Sequence, residues 1–114
     1  MTSHTLSTTE FVASPTLAGD LQAVLVELLE LQAQAKQAMA NLAEALAAAG
    51  SGLAQVLKTT VYVASSDRAD LVAAWDVISS AFGEHDVPST LLGVAVLGYP
   101  GQLVEIEAVA LAGS

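Results

Sequence analysis

The chain has 114 residues, a length that fits a single domain over residues 1–114. It has three basic and twelve acidic side chains and a net charge of −9. So few cations exclude a phosphate-binding patch, and we therefore expect neither nucleic acid nor an anionic membrane as a partner. The absence of cysteine excludes disulfides and thiolate metal sites. We expect a cytoplasmic protein, because the sequence shows no signal peptide and no apolar run of membrane-spanning length.

The first predicted elements are a short strand and a long helix. Residues 10–13 (EFVA) indicate a strand that Ser14-Pro15 ends. Gly19-Asp20 marks a helix start and Gly50 its end, although residues 21–26 fit a helix or a strand equally well. Apolar residues recur at spacings of three and four, which predicts one buried helix face: Leu28, Leu31, Ala35, Met39, Leu42 and Leu46.

The second half of the chain alternates strands, a helix and turns. Residues 56–64 (VLKTTVYVA) are rich in β-branched side chains and predict a strand. Residues 65–67 cap a second helix, which ends at Gly83 and carries the apolar stripe Leu71, Trp75, Ile78 and Phe82. Strands are then predicted over 90–97 and 103–111, and the turn at 98–101 (GYPG) predicts that these two form an antiparallel pair.

The last strand, LVEIEAVAL, carries two acids on one face. Strand alternation places Glu105 and Glu107 on the same side as Leu103, Val109 and Leu111. Two amphipathic helices cover only one face of a sheet, so the other, partly apolar face requires a further subunit. A hydrophobic content of 54% supports this expectation of a homo-oligomer with the glutamates at or beside an interface.

Three segments give the chain a resemblance to a known family. Residues 42–85, GVAVL at 93–97 and LVEIEAVAL at 103–111 resemble the RidA (YjgF) family, and the likeness is best over 32–112. The resemblance implies a chorismate-mutase-like, RidA-type α+β fold in two layers, with two helices packed on one face of a mixed β-sheet. It also implies a homotrimer whose sheets form a central barrel with small-molecule clefts between subunits, and hydrolysis of imines and enamines without a cofactor.

The resemblance also assigns residues to the cleft. The first glutamate of the family's EIEA motif, which positions or activates water, corresponds to Glu105 as the catalytic residue, and Glu107 corresponds to a structural partner. The family's Pro-Ala-Arg-Ser or Pro-Xaa-Arg-Thr motif supplies an arginine that binds the substrate carboxylate. At residues 87–90 this chain reads VPST, which we align with Ser89 at the arginine position and Thr90 beside it.

Two more residues are candidate substrate contacts beside Ser89 and Thr90. Trp75 stands where relatives often carry asparagine on the second helix, and it also fits the apolar stripe. Ser14 echoes the family's Ser-Gly-Gln turn in an N-terminal third that lacks its Pro-Tyr-Ser-Gln segment. Neither Lys58 nor Arg68 replaces the arginine by sequence position.

Two classes of function stay open. One is a divergent enzyme that acts on an imine, enamine or related carbonyl compound, with Glu105 moving a proton or a water. The other is a non-catalytic ligand-binding or regulatory trimer. Ordinary 2-imino acid deamination conflicts with the missing arginine, since a serine hydroxyl cannot match a bidentate guanidinium. Endoribonuclease activity conflicts with the acidic charge, and His4 and His85 lack the spacing of metal ligands, so no metal site is expected.

Overall fold

The computed structural model describes residues 17–112, with side chains from residue 23 onward. In chain order its elements are helix α1 (Leu17–Ala48), a 3-10 turn (Leu53–Gln55), strand β1 (Val56–Val63), helix α2 (Arg68–Phe82), strand β2 (Ser89–Gly93) and strand β3 (Val104–Ala110). The predicted strand at 10–13 and the candidate Ser14 lie outside the described residues. Within 17–112 no helix combines the length and the apolar character needed to cross a membrane.

Helix α1 includes residues 21–26, which resolves the choice between helix and strand. The chain leaves the helix at Gly50, whose φ of 74° lies in the left-handed region that glycine adopts without strain. The Ser51 N–H donates to the Leu46 carbonyl at 2.8 Å and so satisfies one of the last helical carbonyls. The predicted apolar face is the one that packs on the core, with Leu31, Ala35 and Met39 buried and Leu28, Leu42 and Leu46 partly buried.

Helix α2 has the predicted cap and the predicted end. The Asp67 side chain accepts a hydrogen bond from the Ala69 N–H at 2.9 Å, which satisfies a free donor of the first turn. Gly83 ends the helix with a φ of 64°. The buried residues of the helix are Ala74, Ile78 and Phe82, and Trp75 is half-buried at the edge of that stripe.

The sheet has three described strands in the order β2-β1-β3, with β1 parallel to β2 and antiparallel to β3. The prediction of a β2–β3 hairpin is therefore wrong, because β1 lies between these strands. Helix α2 is a crossover that returns the chain beside β1 in the same direction, which makes β1 and β2 neighbours. Strand β2 also stops at Gly93 instead of residue 97, and Val94 and Leu103 then bond to the end of β1, at Val63 and Ala64.

The two helices lie on one face of the sheet, which we call the inner face. Helix α1 packs against β3, and α2 packs against β1 and β2. Val61 and Val63 of β1 point into this layer and are fully buried, as is Ile78 of α2. The opposite side, the outer face, carries the alternate residues of each strand, and no described element covers it.

Candidate functional site

The outer face presents polar residues from all three strands in two adjacent rows. Residues that pair across strands point to the same face, so the register determines each row. Tyr62 pairs with Glu105 on one side and Leu92 on the other, and Thr60 pairs with Glu107 and Thr90. The two rows across β2, β1 and β3 are Leu92, Tyr62 and Glu105, and Thr90, Thr60 and Glu107.

Tyr62 holds the second of the two acids. Its hydroxyl donates a hydrogen bond of 2.6 Å to Oε1 of Glu107. That bond is the main cause that raises the pKa of Tyr62 above its ordinary value of 10.0, with smaller contributions from desolvation and from the charges of Glu107 and Glu105. The hydroxyl therefore stays protonated near neutral pH and acts as a donor that orients Glu107.

Glu105 is held much less firmly. Its side chain is exposed, and within the described residues its hydrogen bond comes from Nε2 of Gln102 at 3.5 Å, at the long limit for such a bond. The same Gln102 amide accepts from the Tyr99 N–H through its oxygen at 3.2 Å. The two carboxylates thus differ in environment: Glu107 has a short, directed partner, whereas Glu105 is available to a water or a ligand.

Ser89 does not face this site. It pairs with Thr59, which is 2% exposed and points to the inner face. The two hydroxyl oxygens lie 2.6 Å apart, and Ser89 also donates to the Val87 carbonyl at 3.0 Å. Because a serine hydroxyl has one proton, Thr59 is the donor to Ser89. The Ser89 hydroxyl therefore donates one hydrogen bond, to Val87, and accepts one, from Thr59, and neither is directed to the outer face.

Thr90 is the residue of this segment that shares the outer face with Glu105. In the pattern Pro-Xaa-Arg the arginine stands two residues after the proline, and two residues after Pro88 is Thr90. The alignment that placed Ser89 at the arginine position is therefore corrected by one residue. By this count Thr90, not Ser89, stands at the arginine position of the motif, and the strand register places Thr90 on the outer face.

Trp75 lies on the helix side of the sheet and does not meet Glu105. It lines a cavity of about 250 Å³ together with Ser79, Phe82 and His85. Nε2 of His85 lies 2.8 Å from the Val56 carbonyl oxygen. Because a carbonyl oxygen only accepts, Nε2 is protonated and donates this hydrogen bond. A larger open groove of about 660 Å³ runs between α1 and α2 past Met39. Neither cavity contains a residue of the outer face.

Among the outer-face residues of β1, Tyr62 was not singled out from the sequence, and Lys58 was set aside because of its sequence position. Tyr62 carries the hydroxyl that orients Glu107, and Lys58 points outward opposite Val109. The available signal was the alternation around the apolar Val61 and Val63, which places the even-numbered residues of β1 on the opposite side. Within residues 17–112, no three side chains of the types that ligate metals come together.

Comparisons with known proteins agree with this architecture. The sequence profile of the family described as Endoribonuclease L-PSP matches residues 4–112, including the N-terminal third, which lacks the family's Pro-Tyr-Ser-Gln segment. A member of the YjgF/YER057c/UK114 family from Mycobacterium tuberculosis is 36% identical, with a TM-score of 0.61, over 67% of this chain and 63% of that chain. A protein of the conserved Rid family from Yersinia pestis is 35% identical, with a TM-score of 0.61, over 69% of this chain and 60% of that chain.

The match therefore spans about three-fifths of the length of these two structures. No curated protein matches the chain.

Proposed function

The chain belongs to the Endoribonuclease L-PSP family, which includes the YjgF and Rid proteins, and from that premise we propose that it hydrolyses an imine or enamine to a carbonyl compound and ammonia. The observation that carries the proposal is the state of Glu105, which lies exposed on the outer face and, among the described residues, has one long hydrogen bond. It stands at the position that the resemblance assigns to the water-activating glutamate. The reaction needs no cofactor, because a positioned carboxylate and one water suffice for it.

The proposed chemistry proceeds in two steps. In the first, Glu105 accepts a proton from water as the C–O bond forms, the C=N π pair moves to nitrogen, and Glu105 then protonates that nitrogen. In the second, Glu105 takes the hydroxyl proton of the resulting carbinolamine and delivers it to the amine. The C–N bond then breaks and the C=O bond forms. One imine and one water thus become one carbonyl compound and one ammonia.

The two carboxylates have different roles in this proposal. Tyr62 keeps Glu107 hydrogen-bonded at 2.6 Å, so Glu107 serves to fix the position of the tyrosine ring beside Glu105. Glu105 pairs with Tyr62 across the strands but shares no hydrogen bond with it in the described residues. Environments that differ in this way allow neighbouring acids to take different roles.

The cleft in this proposal lies between subunits of a homotrimer. The outer face exposes large apolar side chains beside the acids, including Leu57, Leu92 and Val109, which are 49%, 43% and 50% exposed. Apolar surface of this kind on one side of a sheet is typical of a surface that associates. A second subunit on the outer face would bury it and would convert an open row of polar groups into a walled cleft.

The test is hydrolysis of 2-iminopropanoate generated in situ, and of the uncharged propan-2-imine, measured over the uncatalysed rate. We expect catalysis of at least one of them, and Glu105→Gln should remove most of the turnover. Glu44→Gln, a matched change on an exposed position of α1, should leave the rate unchanged. Unaltered turnover in Glu105→Gln would refute the proposed role of this acid.

A second candidate function is ligand binding without catalysis, and Thr90 at the arginine position favours it, because a lost anion contact weakens substrate capture. A binder should show no hydrolysis of either imine, and Glu105→Gln should then change only the affinity for a ligand. Endoribonuclease activity, which the family's description names, is disfavoured by a net charge of −9.

A further inference from the structure

The outer face carries one of the chain's three basic residues, Lys58. We propose that Lys58 binds the carboxylate of the substrate and so supplies the anion contact that Thr90 cannot make. The inference rests on the proposed function and names its substrate class, a small imine or enamine that bears a carboxylate. The other two cations are excluded by position, because Lys36 borders the groove between the helices and Arg68 begins α2.

The strand geometry brings Lys58 to the site. Lys58, Thr60 and Tyr62 alternate along the outer side of β1, and Lys58 pairs with Val109. A register shift between Val56 and Lys58 marks a β-bulge, a feature that redirects side chains at sheet edges and beside active sites. Because Thr59 pairs with Ser89, Lys58 lies diagonally across from Thr90, and it therefore borders the space that an arginine at position 90 would occupy.

The distances suit a small substrate. Lys58 and Tyr62 are four residues apart on one strand, about 13 Å at a rise of roughly 3.3 Å per residue, and Tyr62 pairs directly with Glu105. A lysine side chain reaches about 6 Å from its Cα. When it leans along the strand, its ammonium can therefore come within about 7 Å of the row of Glu105. A carboxylate bonded to an imine carbon, together with the attacking water, fills a gap of that size.

The ammonium of Lys58 is free to take a ligand. Within residues 17–112 it forms no hydrogen bond and no ion pair, although two carboxylates share its face. Glu107, the nearer acid along the register, already accepts the Tyr62 hydroxyl. An ammonium binds a carboxylate as a point charge with three donors and does not need the planar geometry of a guanidinium. Lys58 thus provides the charge of the missing arginine, with looser control of orientation.

The decisive variant is Lys58→Met, which keeps the aliphatic stem and removes the charge. We expect kcat/KM for 2-iminopropanoate to fall by about 10- to 100-fold, mainly through KM, because a charge-assisted hydrogen bond is lost. Hydrolysis of propan-2-imine, which has the same three-carbon skeleton with a methyl group in place of the carboxylate, should stay unchanged. Lys36→Met makes the same change of charge on the helix side and controls for the overall field. Thr90→Arg in the Lys58→Met background should restore the lost activity.

The outcomes separate this inference from the proposed function. Equal losses on both imines, or equal losses in Lys58→Met and Lys36→Met, would overturn the role of Lys58 while leaving hydrolysis intact. Should the native protein hydrolyse neither imine, the proposed function fails, and calorimetric titration with pyruvate then tests the inference alone. Pyruvate binding that weakens about 10-fold or more in Lys58→Met supports the anion site, and unchanged binding or no binding refutes it.

Discussion

Replacement of Ser89 and Thr90 by alanine, one at a time, tests which of these neighbours faces the inner side of the sheet. The Ser89 hydroxyl lies 2.6 Å from the hydroxyl of Thr59, a residue that is only 2% exposed. Ser89→Ala removes the acceptor of a buried donor, a loss that costs about 1–3 kcal/mol in general. Ser89 itself lies in an exposed edge position, where water can replace part of the bond, so we expect a cost of about 1–2 kcal/mol.

Thr90→Ala is the matched control. Thr90 is exposed on the outer face and makes no described side-chain hydrogen bond, so its loss should change the free energy of unfolding by no more than about 0.5 kcal/mol. Urea unfolding at one fixed protein concentration measures both variants. With a slope of about 2 kcal/mol per molar urea, Ser89→Ala should lower the midpoint by roughly 0.5–1 M.

The contribution of Thr59 can be isolated with a double-mutant cycle. Thr59→Val keeps the shape of the buried side chain and removes its hydroxyl, so Ser89→Ala should cost less in that background than in the native chain. Equal costs in the two backgrounds, or a larger cost for Thr90→Ala than for Ser89→Ala, would show that the register placing Ser89 on the inner side is incorrect.

Two further properties follow from the outer face. The chain has two tyrosines, so in a Tyr99→Phe variant the tyrosine absorbance reports on Tyr62 alone. We expect this titration to give a pKa above 10.0, and we expect the added change Glu107→Gln to lower that pKa. An equal pKa with and without Glu107→Gln would contradict the hydrogen bond. Because that pKa is raised by folding, the stabilisation from Tyr62 is complete below about pH 10 and is lost as the pH rises through the higher value. Light scattering should give three times the 11.6 kDa chain mass, and a monomer at micromolar concentration would refute the intersubunit cleft.

The family was accessible from the resemblance of residues 42–85, 93–97 and 103–111. The ends and buried faces of the two helices were accessible from local patterns in the sequence. Local signals decided them: the periodic apolar face of α1, the Asp67 cap, and the glycines at 50 and 83, each of which adopts a positive φ. The alternation in β3 likewise placed Glu105 and Glu107 together on one face, as the register confirms. These features depend on residues close in sequence, so a single chain is enough to predict them.

The neighbours across the sheet were decided only by the tertiary structure. The turn at 98–101 suggested a hairpin, yet β1 separates β2 from β3, because the α2 crossover aligns β1 and β2 side by side. That order brings Tyr62 between Thr90's strand and Glu105's strand, and no local pattern predicts it. For the same reason, sequence position gave no indication that Lys58 lies on the same face as Glu105. The two residues are 47 positions apart in the chain, and only the strand pairing brings both to the outer face.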